Sequence, residues 1–141
     1  MHLARRGEEG VIGYGTLGTD DLAAARAYYD ALLAEIGAKQ LMQMGEEDLG
    51  FTLYGIDWVQ PMLALTGPFD GRPQHPGNGN MVALKVDDRN TVGSFHAKAL
   101  ALGGTDEGAP GLRGDPAMNF YAAYFRDPEG HKLAVFTTAA A

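Results

Sequence analysis

Cysteine is absent from all 141 residues, which excludes disulfides, a thiolate nucleophile and any thiolate metal site. Positive charge is scarce as well: 11 Lys and Arg stand against 18 Asp and Glu, a formal charge of −7. Neutralising phosphate needs clustered Lys and Arg, so no nucleic-acid partner is expected. The one basic pair, Arg5-Arg6, is followed at once by Glu8-Glu9. No apolar run approaches membrane-spanning length, and the N-terminus lacks the apolar core of a signal segment. No membrane partner is therefore expected, residues 1–10 read as a solvated extension, and the expected location is the cytoplasm. Histidine is sparse, at positions 2, 75, 96 and 131, and no two form an H-x-x-x-H or H-E-x-x-H pair.

Glycine is abundant, with 20 residues, which favours many turns over long helices. The most informative stretch is Phe120 to Phe136, F-Y-A-A-Y-F-R-D-P-E-G-H-K-L-A-V-F. Pro128 presets a turn, Gly130 supplies a positive φ, and aromatic and β-branched residues flank both, which predicts a β-hairpin. Upstream, Val11–Gly18 reads as a strand, and Asp20 or Asp21 caps a helix with Leu22, Ala25, Tyr29, Leu32 and Ile36 on one face. Further strands are expected over Gln40–Met44, Gly50–Tyr54, Pro61–Thr66 and Met81–Val86, and a second helix over Asn90–Leu102. Thr105 to Ala117, rich in Gly and Pro, reads as a long loop of the kind that forms lids.

The two halves repeat. A shift of 67 residues places Leu17 on Leu84, Asp20-Asp21 on Asp87-Asp88, Tyr28 on Phe95, Leu33 on Leu100 and Gly37 on Gly104. Strand, acidic cap, helix and glycine stop recur in register, and each half continues into about three strands. The expected fold is α+β: two βαβββ modules, about 11–66 and 81–138, joined by a linker at 67–80 and together enclosing a cleft.

Paired βαβββ modules ending in Y-F-R-D-P-E-G-H-K-L resemble the vicinal oxygen chelate superfamily of glyoxalases, ring-cleaving dioxygenases and bleomycin-resistance proteins. The opening G-Y-G-T-L-G-T-D-D-L and the middle G-N-G-N-M-V-A-L-K-V-D-D fit the same pattern. The resemblance implies a divalent metal held by His, Gln or Glu at the positions that here carry Tyr14, Ala64, Met81 and Ala134. Alanine offers no donor, methionine sulfur suits soft metals, and tyrosine must first lose its proton, so no metal and no cofactor is expected. The resemblance also implies a small-molecule partner and a homodimer.

Other motifs point elsewhere with less force. Gly13–Gly18 spells G-x-G-x-x-G, but the repeat sets these glycines inside a strand and a charged segment precedes them, which speaks against a dinucleotide site. His131, after a turn, and His75, in the linker, are expected to be solvated, and His96 to be partly buried. If the ligand positions implied by the resemblance face the cleft, strand alternation puts Ile12, Tyr14, Thr16, Met62, Thr66, Ala83, Lys85, Lys132 and Phe136 on the cleft face, and Leu17, Val82, Leu84, Leu133 and Val135 on the helix face. Tyr121 and Phe125 share one face of their strand and Phe120 and Tyr124 the other, with the inward pair undetermined. The expected ligand-binding set is Tyr14, Ala64, Met81, Ala134, Tyr121 and Lys85, with the small side chains leaving spare volume at the floor. The leading function is a metal-free binder of a small organic molecule. The alternatives are a lyase or dioxygenase using Tyr14, His75, Lys85 or Tyr121, and a scaffold with a vestigial cleft.

Overall fold

The computed structural model describes residues 10–141. Most of the sequence-predicted extension at 1–10, His2 included, lies outside the described residues. Within them the chain divides into two units, the first ending at Gln74 and the second running from His75 to Ala141. Each carries one helix and one four-stranded sheet, the mixed α+β arrangement expected from the repeat.

The first unit runs β1 (Tyr14–Gly18), α1 (Leu22–Ala34), β2 (Lys39–Gln43), β3 (Thr52–Gly55) and β4 (Met62–Thr66). Its sheet order is β1-β4-β3-β2, with β1 parallel to β4 and the other pairs antiparallel. Asp21 begins α1 by accepting the Ala24 N–H at 3.0 Å. Tyr29, Leu32 and Leu33 of the helix pack with Leu17, Tyr54, Leu63 and Leu65, all buried. Polar contacts tie the same two layers. Arg26 of α1 donates to Thr52 Oγ1 and to the Gly50 carbonyl at 2.9 Å each, and Tyr54 donates to Asp30 at 2.7 Å.

The second unit runs β5 (Val82–Lys85), α2 (Arg89–Ala101), β6 (Thr105–Leu112), β7 (Tyr121–Arg126) and β8 (Lys132–Thr137), in sheet order β5-β8-β7-β6. Asp88, which stands 67 residues after Asp21, caps α2 by accepting the Thr91 N–H at 2.7 Å, and the helix spans the shifted limits of α1. Val92, Phe95 and Ala99 of α2 are buried with Phe125, Leu133 and Val135. The 127–130 turn closes as predicted: Gly130 donates to the Asp127 carbonyl at 2.9 Å with φ of 94°.

Two sequence expectations need correction. Thr105–Ala117 is not an open loop, because its first eight residues form β6 along β7. Two register shifts, one on each side of the Gly108–Tyr124 pair, absorb Glu107 and the Ala109-Pro110 step, and an edge position accommodates a residue with no N–H to donate. Gly108 is needed there, since a Cβ would lie 2.9 Å from the Tyr124 ring. Gly103 (φ 114°) stops α2 in a left-handed conformation, as Gly37 (φ 77°) does after α1. His131 is buried rather than solvated, because the turn folds back so that its N–H donates to the Asp127 carboxylate at 3.0 Å.

Candidate functional site

In the first unit the helix covers one face of the sheet. Side-chain alternation and the register put Tyr14, Thr16, Leu53, Met62, Ala64 and Thr66 on the other. That open face carries a pocket of about 720 Å3. Four rings line it: Tyr14 from β1, Phe51 just before β3, Trp58 from the β3–β4 loop and Phe69 after β4. Met42, Met44 and Met62 supply flexible, polarizable surface between them. Its polar members are Glu47, Asp48 and Thr66.

Local chain geometry sets these groups in place. Between β2 and β3 the chain makes a 3-10 turn over Glu46–Asp48, then reverses through Leu49 at φ 60° and Gly50 at φ 65°. Gly50 is required, because a Cβ would fall 2.2 Å from Leu22 of α1. Leu49 has a side chain in that strained region and turns it into the pocket wall. The reversal leaves Glu47 and Asp48 exposed at the rim. On the other side, the Asp57 carboxylate accepts the N–H groups of Val59 and Gln60 at 2.9 Å each, which shapes the loop that presents Trp58. These two backbone donors, Gln60 first, hold the Asp57 carboxyl below its ordinary value.

The open face of the second sheet differs in chemistry. Register puts Ala83, Lys85, Ala122, Tyr124, Arg126, Lys132, Ala134 and Phe136 on it. Phe120 stacks on Phe136 with centroids 5.2 Å apart. The Tyr124 ring is approached by the Arg113 guanidinium at 5.5 Å and the Lys132 ammonium at 5.6 Å. Arg126 is paired with Glu107.

The residues singled out from sequence fall in several environments. Tyr14 lines the pocket and is 55 % exposed. Lys85 stands on the open face of the second sheet, and Met81 is exposed just before β5. Tyr121 is a correction: it pairs with Thr137 on the helix-covered face, and Arg89 of α2 lies 5.1 Å above its ring. Tyr124, its neighbour by three, takes the open face instead. Ala64 and Ala134 have the expected facing but are 0 % and 1 % exposed, so each belongs to a packed floor and leaves no spare volume. His75 is exposed, and the ring of buried His96 meets Asp106 at 3.0 Å. Sequence reasoning passed over Phe51, Trp58, Phe69, Met42 and Met44. The alternation of Met42 with Met44 along the β2 edge was a usable signal. Trp58 and Phe69 sit in segments with the composition of plain connectors.

The superfamily resemblance implies a divalent metal at the positions of Tyr14, Ala64, Met81 and Ala134, and the chemistry of these side chains does not fit one. Two carry no donor atom, one offers a thioether, and the Tyr14 ring packs edge-on against Phe51. Among the described residues no three His, Cys, Asp or Glu come together as a metal would require. No helix of the described residues is long and apolar enough to cross a membrane.

The fold has many counterparts among solved structures. A glyoxalase/bleomycin resistance protein from Albidiferax ferrireducens T118 superposes with a TM-score of 0.78 at 28 % identity, covering 91 % of this chain and 99 % of that one. Lactoylglutathione lyase from Agrobacterium tumefaciens shares the fold at a TM-score of 0.63 and 21 % identity, covering 90 % and 92 %. A glyoxalase/bleomycin resistance protein/dioxygenase family enzyme from Burkholderia phytofirmans PsJN does so at 0.67 and 18 %, covering 90 % and 98 %. No curated protein matches the sequence. The family model described as Glyoxalase/Bleomycin resistance protein/Dioxygenase superfamily matches residues 11–135, nearly the whole chain. The chain belongs to that superfamily.

Proposed function

We propose that this protein binds a small, mainly apolar organic molecule on the open face of its first sheet, without a metal at the positions where its superfamily resemblance implies one. The observation that carries the reading is the pocket of about 720 Å3 walled by Tyr14, Phe51, Trp58 and Phe69. Ligand sites are concave and mainly apolar, with few polar groups to orient the guest, and typically enclose roughly 300–1,000 Å3. Phe69 is 95 % exposed and Trp58 59 %, and rings left this wet gain by covering a guest. The donor-poor Tyr14, Ala64, Met81 and Ala134 support the metal-independent part.

The test is a thermal-shift screen of apolar and aromatic compounds. A compound at a hundred times its dissociation constant stabilises the fold by about 2.7 kcal/mol. For a domain of this size that raises Tm by several degrees. The double variant Tyr14→Ala/Phe69→Ala alters two exposed side chains and should remove the shift while the unliganded Tm changes little. A hit that keeps its affinity in that variant overturns the site. About one divalent ion per purified chain, or a large loss of Tm on chelation, overturns metal independence.

A further inference from the structure

We infer that the guest this pocket selects is a cation: an apolar or aromatic body bearing a quaternary ammonium or protonated amine. The inference rests on the reading of the pocket given above and adds a charge to it. Among the lining side chains the ionisable groups at the rim are two carboxylates, Glu47 and Asp48, and no Lys or Arg joins them. Both carboxylates are exposed, and among the described residues no cation pairs with either. Arg26, the cation of the neighbouring helix, spends its guanidinium on Thr52 Oγ1 and the Gly50 carbonyl.

The rings point the same way. An aromatic face carries negative quadrupole density and attracts an ammonium group, Trp most strongly, and a cage of several rings is the usual receptor for quaternary ammonium. Here four rings share one concavity with three thioethers and two carboxylates. An anionic guest would meet both carboxylates, with no Lys or Arg in the lining to offset them and only the neutral donors of Tyr14, Trp58 and Thr66. A neutral guest would gain burial alone. The contrast with the second sheet is instructive, because Lys85, Arg113 and Lys132 collect on or against its open face. The lining of the first-unit pocket draws on none of them.

The experiment compares three probes of one shape: benzyltrimethylammonium, its neutral carbon isostere neopentylbenzene, and the anion phenylmethanesulfonate. Affinities are read by calorimetry and by the fluorescence of Trp58, the only tryptophan in the chain. The cation should bind about tenfold more tightly than the isostere, and the sulfonate more weakly than either. In Glu47→Gln/Asp48→Asn the cation's advantage should shrink to about threefold or less, with isostere affinity unchanged as the check on folding. Salt at about 1 M should narrow the gap in the parent protein. An isostere or sulfonate that binds as well as the cation overturns the charge assignment and leaves the pocket standing. If neither these probes nor any apolar compound binds, the pocket reading falls and the inference with it.

Discussion

Tyr14 and Phe51 meet edge to face, their centroids 5.6 Å apart and their planes at 82°, across the strand that carries Ala64. Tyr14 is level with Met62 on that strand, and Thr52 is level with Leu65, which sets Phe51 one residue further on. The line between the two rings therefore crosses β4 near Ala64. A methyl side chain lets the rings close over the sheet, and its 0 % exposure agrees with that cover. Ala64→Leu should force the rings apart, at a cost of about 1–3 kcal/mol from overpacking. The expected outcome is a lower Tm together with loss of ligand-induced stabilisation, read in one thermal-shift series. Ala64→Gly should cost less stability and keep ligand binding.

Alkaline stability should depend on Tyr54. Its hydroxyl is buried between sheet and helix and donates to Asp30, and burial first, then that carboxylate, pushes its pKa far above the ordinary value of 10.0. A raised folded-state value gives stability that is complete below the unfolded pKa and is lost as pH climbs from there through the folded one. Denaturation midpoints should therefore fall above about pH 10 in the parent and fall less steeply in Tyr54→Phe. At pH 7 the Phe variant should lose about 1–3 kcal/mol, since Asp30 keeps only the Gln40 amide at 2.8 Å.

The acid limb should report Asp106. The Gly108 N–H at 2.9 Å, and then His96, hold this carboxyl below its ordinary value near 3.8. A depressed folded-state value gives stability that is present above the unfolded pKa and lost as pH falls through the folded one. Unfolding curves from pH 5 down to pH 2 should lose less stability in Asp106→Asn than in the parent, by about the same trend at low and moderate salt. An unchanged slope would show that the contact is not populated in solution.

Arg26 should act as a brace between helix and sheet. Its guanidinium reaches Thr52 Oγ1 and the Gly50 carbonyl, both beside the hairpin that bears the pocket rim. Arg26→Ala should cost about 1.5–3 kcal/mol, and Arg26→Lys should recover only part, because a point charge does not match two fixed acceptors. Hydrogen exchange should locate the loosening at residues 49–52 rather than in the second unit.

The elements that could be read from sequence are those in which every local signal agreed. The acidic caps at Asp21 and Asp88, the helical faces and the D-P-E-G turn each follow from short-range chemistry, and the 67-residue shift carries one helix onto the other. Position 105–112 defeated composition, because Gly108 and Pro110 look like loop residues and instead belong to an edge strand whose register shifts on either side of Gly108. Tyr121 and Tyr124 could not be told apart by alternation alone; the register with Thr137 and Ala134 decides which ring meets the helix. The pocket was the least legible part. Its rings come from a strand, a hairpin stem, a loop and a linker, and only the folded sheet brings Tyr14, Phe51, Trp58 and Phe69 to one concavity.

The broken register of β6 has a consequence for the protein in a crowded solution. A sheet edge with an unbroken row of N–H and C=O groups invites a second molecule to add a strand. β6 is the outer strand of its sheet, shifts register twice within eight residues and contains a proline with no proton to give. Any incoming strand would find matching partners for only a residue or two before falling out of step. The same irregularities that hid this strand from composition therefore guard its edge against aggregation, and straightening them with Pro110→Val should make the concentrated protein less soluble.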